Sequence, residues 1–166
     1  SYAFNRSHAA CYAITGYYSQ WFKVHYPLQF WTISLQFSDD DDKPKRISEI
    51  RTTSTIQVLP VDINRSNLIF RGDLDTQSIY WALPSVKWVG EKVVSSILEE
   101  RKNNGNFFTL EEFYHRMKSY SGVNSRAISH LIICGAFDEI ENICGAFDEI
   151  ENIKNYSERF RLLESF

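Results

Sequence analysis

The sequence predicts a mainly α-helical chain with a small β segment, and three observations carry that prediction. Over most of the chain, apolar residues recur at the spacing that places them on one face of a helix. One stretch, Thr55-Ile56-Gln57-Val58-Leu59-Pro60, instead alternates and is rich in β-branched residues, as a strand requires. Residues that start or stop helices stand at the ends of the periodic runs: Ser7, Pro27, Thr109, Asn124 and Gly135.

Taken in order, the first helix lies behind Ser7, whose hydroxyl can cap the first free amides. Ala10, Ile14, Tyr17, Tyr18 and Trp21 form its apolar face, and Pro27 stops it by disfavouring helical geometry in the preceding residue. The start of this helix gathers free amides with Asn5, Arg6 and His8, and such a start attracts phosphate. An ordinary capped amphipathic helix would show the same features. Leu28–Phe37 predicts a second helix, apolar nearly all round and therefore buried. The run Asp39–Asp42 reads as a solvated turn, because adjacent carboxylates in a loop lack the spaced partners of a metal site. Lys45–Thr52 predicts a short helix with Ile47 and Ile50 inward. After the strand at 55–60, Asp62, Asn64 and Ser66 are turn and capping groups. Leu68–Phe70 and Ser78–Leu83 then read as two short strands around a polar loop.

The stretch from Leu83 to Arg101 predicts a helical hairpin. Pro84 starts a short helix, Val86-Lys87-Trp88-Val89-Gly90 makes a tight turn, and Glu91–Lys102 is a helix with Val93, Val94, Ile97 and Leu98 inside. Glycine in such a turn lets the backbone approach a phosphate, and Gly90 supplies one. The stretch resembles a helix-hairpin-helix motif, and the resemblance implies Lys87, Val89, Gly90 and Lys92 as contacts to a DNA backbone; the alternative is a hairpin whose Gly90 only permits the turn. Trp88 can shield the turn, pack in a core or interface, or stack on a base or sugar. Further on, Thr109 and Glu112 form a capping box in which each side chain meets a backbone amide of the other. Leu110, Phe113, Tyr114 and Met117 line the helix that follows. Asn124 caps the next one, with Ala127, Ile128, Leu131 and Ile132 inward and Gly135 as its stop. His115 and His130 lack partner spacing and read as surface or packing residues. Ile133–Asn142 is then repeated without change as Ile143–Asn152; the second copy is expected to be a surplus loop or helix extension, with Tyr156, Phe160 and Leu163 in a closing helix.

Composition bounds the function classes. With 166 residues, 43% hydrophobic and 23% charged, the chain is one globular domain or two small ones. A net charge of −3 excludes a globally basic nucleic-acid binder. Residues 83–130 nevertheless carry seven bases against five acids, so a DNA-facing surface fits within the acidic whole. No run is long and apolar enough for a membrane span, and no signal peptide is read at the start. The three cysteines have neither metal-binding nor disulfide spacing, which leads to an expected cytoplasmic location. A first residue Ser1 and a single methionine, Met117, are expected of a piece of a longer reading frame.

Phe4-Asn5-Arg6-Ser7-His8-Ala9-Ala10-Cys11-Tyr12-Ala13, followed by Lys23-x-His25-Tyr26-Pro27, resembles the F-N-[KR]-S-H-A-x-x-Y-A … L-K-x-H-Y-P signature of the bacterial C-family replicative DNA polymerases, the DNA polymerase III alpha subunits. Ile56–Ser66 is similar to that family's I-x-V-L-P-P-D-I-N-x-S, with Val61 in place of the second proline. Arg101, Gly105, Phe107, Thr109, Leu110, Glu112, Phe113, Asn124, Arg126, Leu131 and Gly135-Ala136-Phe137-Asp138 follow its downstream pattern. Leu83–Arg101 resembles a helix-hairpin-helix, departing from it at Trp88 (usually glycine) and Val94 (usually alanine).

The resemblance implies fingers helices at 1–54, a small β-containing connector at 55–83 and a tandem helix-hairpin-helix region at 84–166. It implies a parent activity of template-directed DNA synthesis with magnesium, and a role for Asn5, Arg6, Ser7 and His8 beside nucleotide or template. Lys23 and His25 are further candidates that can equally cap the helix C-terminus. The implied partners are primer-template DNA, deoxynucleoside triphosphates and other replicase subunits, including the sliding clamp. The magnesium carboxylates would belong to the palm, upstream of Ser1, and no Asp-x-Asp is read on a strand here, so the isolated chain is expected to be inactive. The rival readings are a stand-alone, non-enzymatic helix-hairpin-helix DNA-binding module and a degraded gene relic.

Overall fold

The computed structural model describes residues 5–120 and 122–140. The second repeat copy and the expected closing helix lie outside the described residues, as does Phe4. The described chain is mainly helical: α1 Arg6–His25, α2 Pro27–Gln36, α3 Lys43–Thr53, α4 Glu91–Asn104, α5 Leu110–Met117 and α6 Ser125–Ile133. A 3-10 turn spans Leu83–Ser85. Strands β1 Gln57–Leu59, β2 Arg71–Asp73 and β3 Ser78–Tyr80 form one sheet in the order β1-β3-β2. The chain divides into two compact units, residues 5–57 with Gly72–Ile79, and Val58–Arg71 with the described residues from Tyr80 onward.

In the first unit, α1 is capped by Asn5 and not by Ser7. Asn5 has extended backbone (φ −67°, ψ 121°), and its Oδ1 accepts the Ser7 N–H at 3.1 Å and the Ser7 hydroxyl at 2.7 Å. A cap residue must stand outside the helix, and Ser7 is already inside it. Pro27 occupies the first turn of α2, where its missing N–H leaves no bond unmade. Burial on α2 is confined to the stripe Leu28, Trp31 and Leu35, whereas Ile33 and Phe37 are exposed, so the all-round burial expected of this helix is not found. No residue of α1 is buried; its apolar face, including Ile14, Tyr17 and Tyr18, is open. Ile50 is the fully buried residue of α3. Lys23 reaches Glu49 at 2.6 Å and lies 4.7 Å from the Trp31 ring.

The strand expected at Leu68–Phe70 is displaced to Arg71–Asp73. The cause is a turn set by Asp73, whose Oδ1 accepts the N–H groups of Asp75 (3.0 Å) and Thr76 (3.3 Å). That turn pairs 71–73 with 78–80 and leaves Leu68 and Ile69 exposed.

In the second unit, Ile63, Leu83, Val94, Ile97, Phe107, Phe113, Met117 and Leu131 share one apolar core. The segment from Asp62 to Ser66 is a closed turn. Asp62 Oδ1 accepts the N–H of Asn64 and of Arg65, and Ser66 Oγ accepts the N–H of Asp62. Asn64 exchanges two 2.8 Å bonds with the Phe107 backbone, and Arg101 donates to the carbonyls of Ile63 and Ser66. Thr109 caps α5 as the sequence predicts, accepting from Glu112 N–H at 3.0 Å. The Glu112 carboxylate accepts from Phe108 N–H at 2.9 Å, is also drawn to the Thr109 amide as the capping box requires, and meets Arg116 with its other oxygen. Asn124 caps α6, and Gly135 (φ +76°) closes it: Gly135 N–H bonds Ile132 O and Ala136 N–H bonds Leu131 O. The Ala136 carbonyl then accepts the Ile63 N–H at 2.8 Å.

Two features set the energetics. Glu100, 5% exposed, accepts from Arg116 Nε (2.8 Å), Tyr120 OH (2.7 Å) and Asn104 Nδ2 (2.8 Å). The bonds from Arg116 and Tyr120 hold its carboxyl below the usual carboxylate range, against the opposing pull of burial. The second feature is Trp88, whose φ of +70° is left-handed. That conformation costs an L-residue roughly 1–2 kcal/mol.

Arg116→Ala should destabilise the chain by about 3–5 kcal/mol in urea unfolding, because it strands a buried carboxylate. Since the folded pKa of Glu100 lies below an unfolded value of about 4.3, its stabilisation is full above that pH and is lost as pH falls through the folded value. Glu100→Gln should therefore flatten the acid limb of a plot of urea midpoint against pH. Trp88→Val should be less stable than Trp88→Gly by about 1–2 kcal/mol in thermal unfolding, because glycine accepts the positive φ and valine does not.

Candidate nucleic-acid interface

Two helical hairpins build the candidate site. In the first, the 3-10 turn leads through Val86–Gly90 into α4. Val86 and Val89 point into the core, 4% and 2% exposed, and Val89 N–H is bonded to Val86 O at 3.0 Å. That bond leaves the start of α4, not the Val89 amide, to offer free N–H groups outward. Gly90 precedes α4 with extended backbone and open space where a Cβ would stand. Lys87 and Lys92 are exposed beside it, and Glu91 in the first turn of α4 opposes them in charge.

In the second hairpin, α5 turns through Gly122 (φ +102°) and Asn124 into α6. Arg126, exposed in the first turn of α6, sets its guanidinium 4.7 Å from the centre of the Trp88 ring. Lys87 Nζ lies 5.8 Å from the same ring. Trp88 is 54% exposed, so it does not belong to the core. The tips of the two hairpins are thereby brought together, with Lys87 and Arg126 around one open indole. Sequence reasoning missed Arg126 as a binding candidate. The available signal was its place two residues after the helix cap Asn124, in a hairpin parallel in design to the first.

The other sequence candidates fall in the first unit. Asn5, Arg6, Ser7 and His8 are exposed at the start of α1, where Asn5 and Ser7 serve the cap and His8 stacks on Tyr12 at 4.4 Å. Lys23 is half-buried and paired with Glu49, and His25 stacks on Trp21 at 4.5 Å. Of the remaining histidines, His115 lies 3.6 Å from Glu111 on the surface, and His130 Nδ1 meets Arg126 O. Asp73-Leu74-Asp75 is an Asp-x-Asp of which only Asp73 lies in β2; Asp75 is in the turn, and Asp73 is occupied as a turn acceptor. Among the described residues no group of three His, Cys, Asp or Glu is placed to hold a metal ion. Among the described residues no helix is long and apolar enough to cross a membrane.

The comparisons with known proteins agree with this geometry. The chain is 38% identical over 140 residues to the DNA polymerase III subunit alpha of Thermus aquaticus, an alignment covering 83% of this chain and 11% of that protein. It is 38% identical over 141 residues to the subunit of the same name from Neisseria meningitidis serogroup A, covering 84% and 12%. With that of Chlamydia trachomatis it shares 36% over 143 residues, covering 85% and 11%. The chain thus spans about a ninth of the length of these relatives. A family model described as helix-hairpin-helix motif matches residues 55–143, which include both hairpins, their tips and the turn that anchors them. The chain belongs to the helix-hairpin-helix motif family.

Proposed function

We propose that this chain is a DNA-holding segment of a DNA polymerase III alpha subunit, and that its tandem hairpins grip the duplex backbone without reading its sequence. The observation that carries the reading is the meeting of the two hairpin tips, which gathers Lys87 and Arg126 on one indole beside the open Gly90 turn, with Lys92 exposed in the first turn of α4. Helix starts and lysine or arginine side chains bind phosphate, and phosphate contacts carry no sequence information. The similarity to the alpha subunits supports the same reading.

In this reading the intact subunit performs template-directed DNA synthesis, with primer-template DNA, deoxynucleoside triphosphates, magnesium and the sliding clamp as its partners. Arg6 and His8 at the α1 start lie near nucleotide or template, while Asn5 and Ser7 shape the helix start that presents them. Lys23 and His25 are further candidates for the nucleotide or template, and Lys23 is also paired with Glu49. In this reading the carboxylates that hold the metal ions belong to another part of the subunit, and the isolated chain is expected not to polymerise.

The test is duplex binding by the 166-residue chain, followed by fluorescence anisotropy across a salt series. Affinity should fall with salt, with a logarithmic slope of roughly −0.9 per phosphate contacted, equally for unrelated sequences. Lys87→Ala, Lys92→Ala and Arg126→Ala should each flatten that slope by about one unit. Binding that ignores salt, or that depends on sequence, would reject the reading.

A further inference from the structure

We propose that the Trp88 indole is a stacking platform for an unpaired base, so that the paired hairpin tips also bind single-stranded DNA. The inference rests on the DNA-binding reading of this face and names a second kind of strand for it. At the tip of a hairpin that binds duplex, the backbone must come close to a phosphate, and a side chain there obstructs it. Trp88 stands at that point with left-handed backbone, and the fold accepts strain to present it. The ring is 54% exposed, although an indole buries more apolar surface than most side chains when it can. Among the described residues, its two ring contacts are cations, Lys87 at 5.8 Å and Arg126 at 4.7 Å.

An open aromatic ring flanked by cations is the chemistry of single-strand recognition, in which bases stack on the ring and the cations take the phosphates on either side. A paired base inside a duplex offers no face to such a ring, whereas an unpaired base does. Arg126 is itself exposed, so a base can replace its guanidinium on the indole while the guanidinium moves to the neighbouring phosphate. The occupant is therefore a single strand, and the hairpin pair suits a place where duplex gives way to unpaired strand.

The experiment measures binding of the 166-residue chain to an oligothymidylate of about 16 nucleotides and to a blunt duplex of the same length. Trp88→Gly is the informative variant, since it suits the positive φ and does not threaten the fold. It should weaken oligothymidylate binding by about tenfold or more and change duplex binding by no more than about twofold, while Trp88→Phe keeps both. Equal losses on the two probes, or no loss on the single strand, would overturn the proposal and assign the indole to packing against protein. Salt-dependent duplex binding by the parent chain with no single-strand binding would overturn it while leaving the duplex reading intact. Absence of binding to either probe would overturn both.

Discussion

The second unit depends on one buried ion pair. Glu100 on α4 and Arg116 on α5 come from the helices of different hairpins, and each is satisfied by several further groups. Arg116 also donates to Glu112 and to the carbonyls of Gly105 and Asn106, and it covers the face of Phe107 at 4.3 Å. One guanidinium thereby fixes the direction of the loop between the hairpins, since the Gly105 and Asn106 carbonyls it takes lie where the chain reverses. A hydrophobic pair could fill the same volume, but it would leave those carbonyls unbonded and the loop free to choose other paths. The angle between the hairpins, and with it the meeting of Trp88 and Arg126, follows from this arrangement.

Charge placement explains how an acidic chain can offer a surface to DNA. Three acids of the second unit are spent on structure: Asp62 closes a turn, Glu100 and Glu112 are bound to Arg116. The bases at the tips face outward and keep their field. Net charge is then a poor guide to the local potential, because a neutralised carboxylate adds little field at the surface.

Helix ends in the second unit were legible in the sequence. Thr109, Asn124 and Gly135 act through bonds to residues within a few positions, and such bonds are written into local order. The failures share a different cause. Asn5 and Ser7 are both good caps, and only the backbone decides between them. Strand β2 moved because Asp73 set its turn later than hydrophobic alternation suggests. The pairing of Lys23 with Glu49, far along the chain, is written in no local pattern. Arg126 gains its meaning only from Trp88, whose ring lies in another hairpin. In each case the deciding partner was either ambiguous locally or distant in sequence. The periodic face of α1 was read correctly as a stripe, yet periodicity does not say whether anything covers it.

The bond from Ile63 N–H to the Ala136 carbonyl joins the segment before the first hairpin to the residue just after the last described helix. During synthesis the ribosome delivers Ile63 long before Ala136. Until then the Asp62–Ser66 turn lacks its outer partner, and the amide of a fully buried residue has none. The unit is therefore closed by its far end, and a chain ending inside α6 lacks both the completed second hairpin and the carbonyl that the Ile63 amide needs.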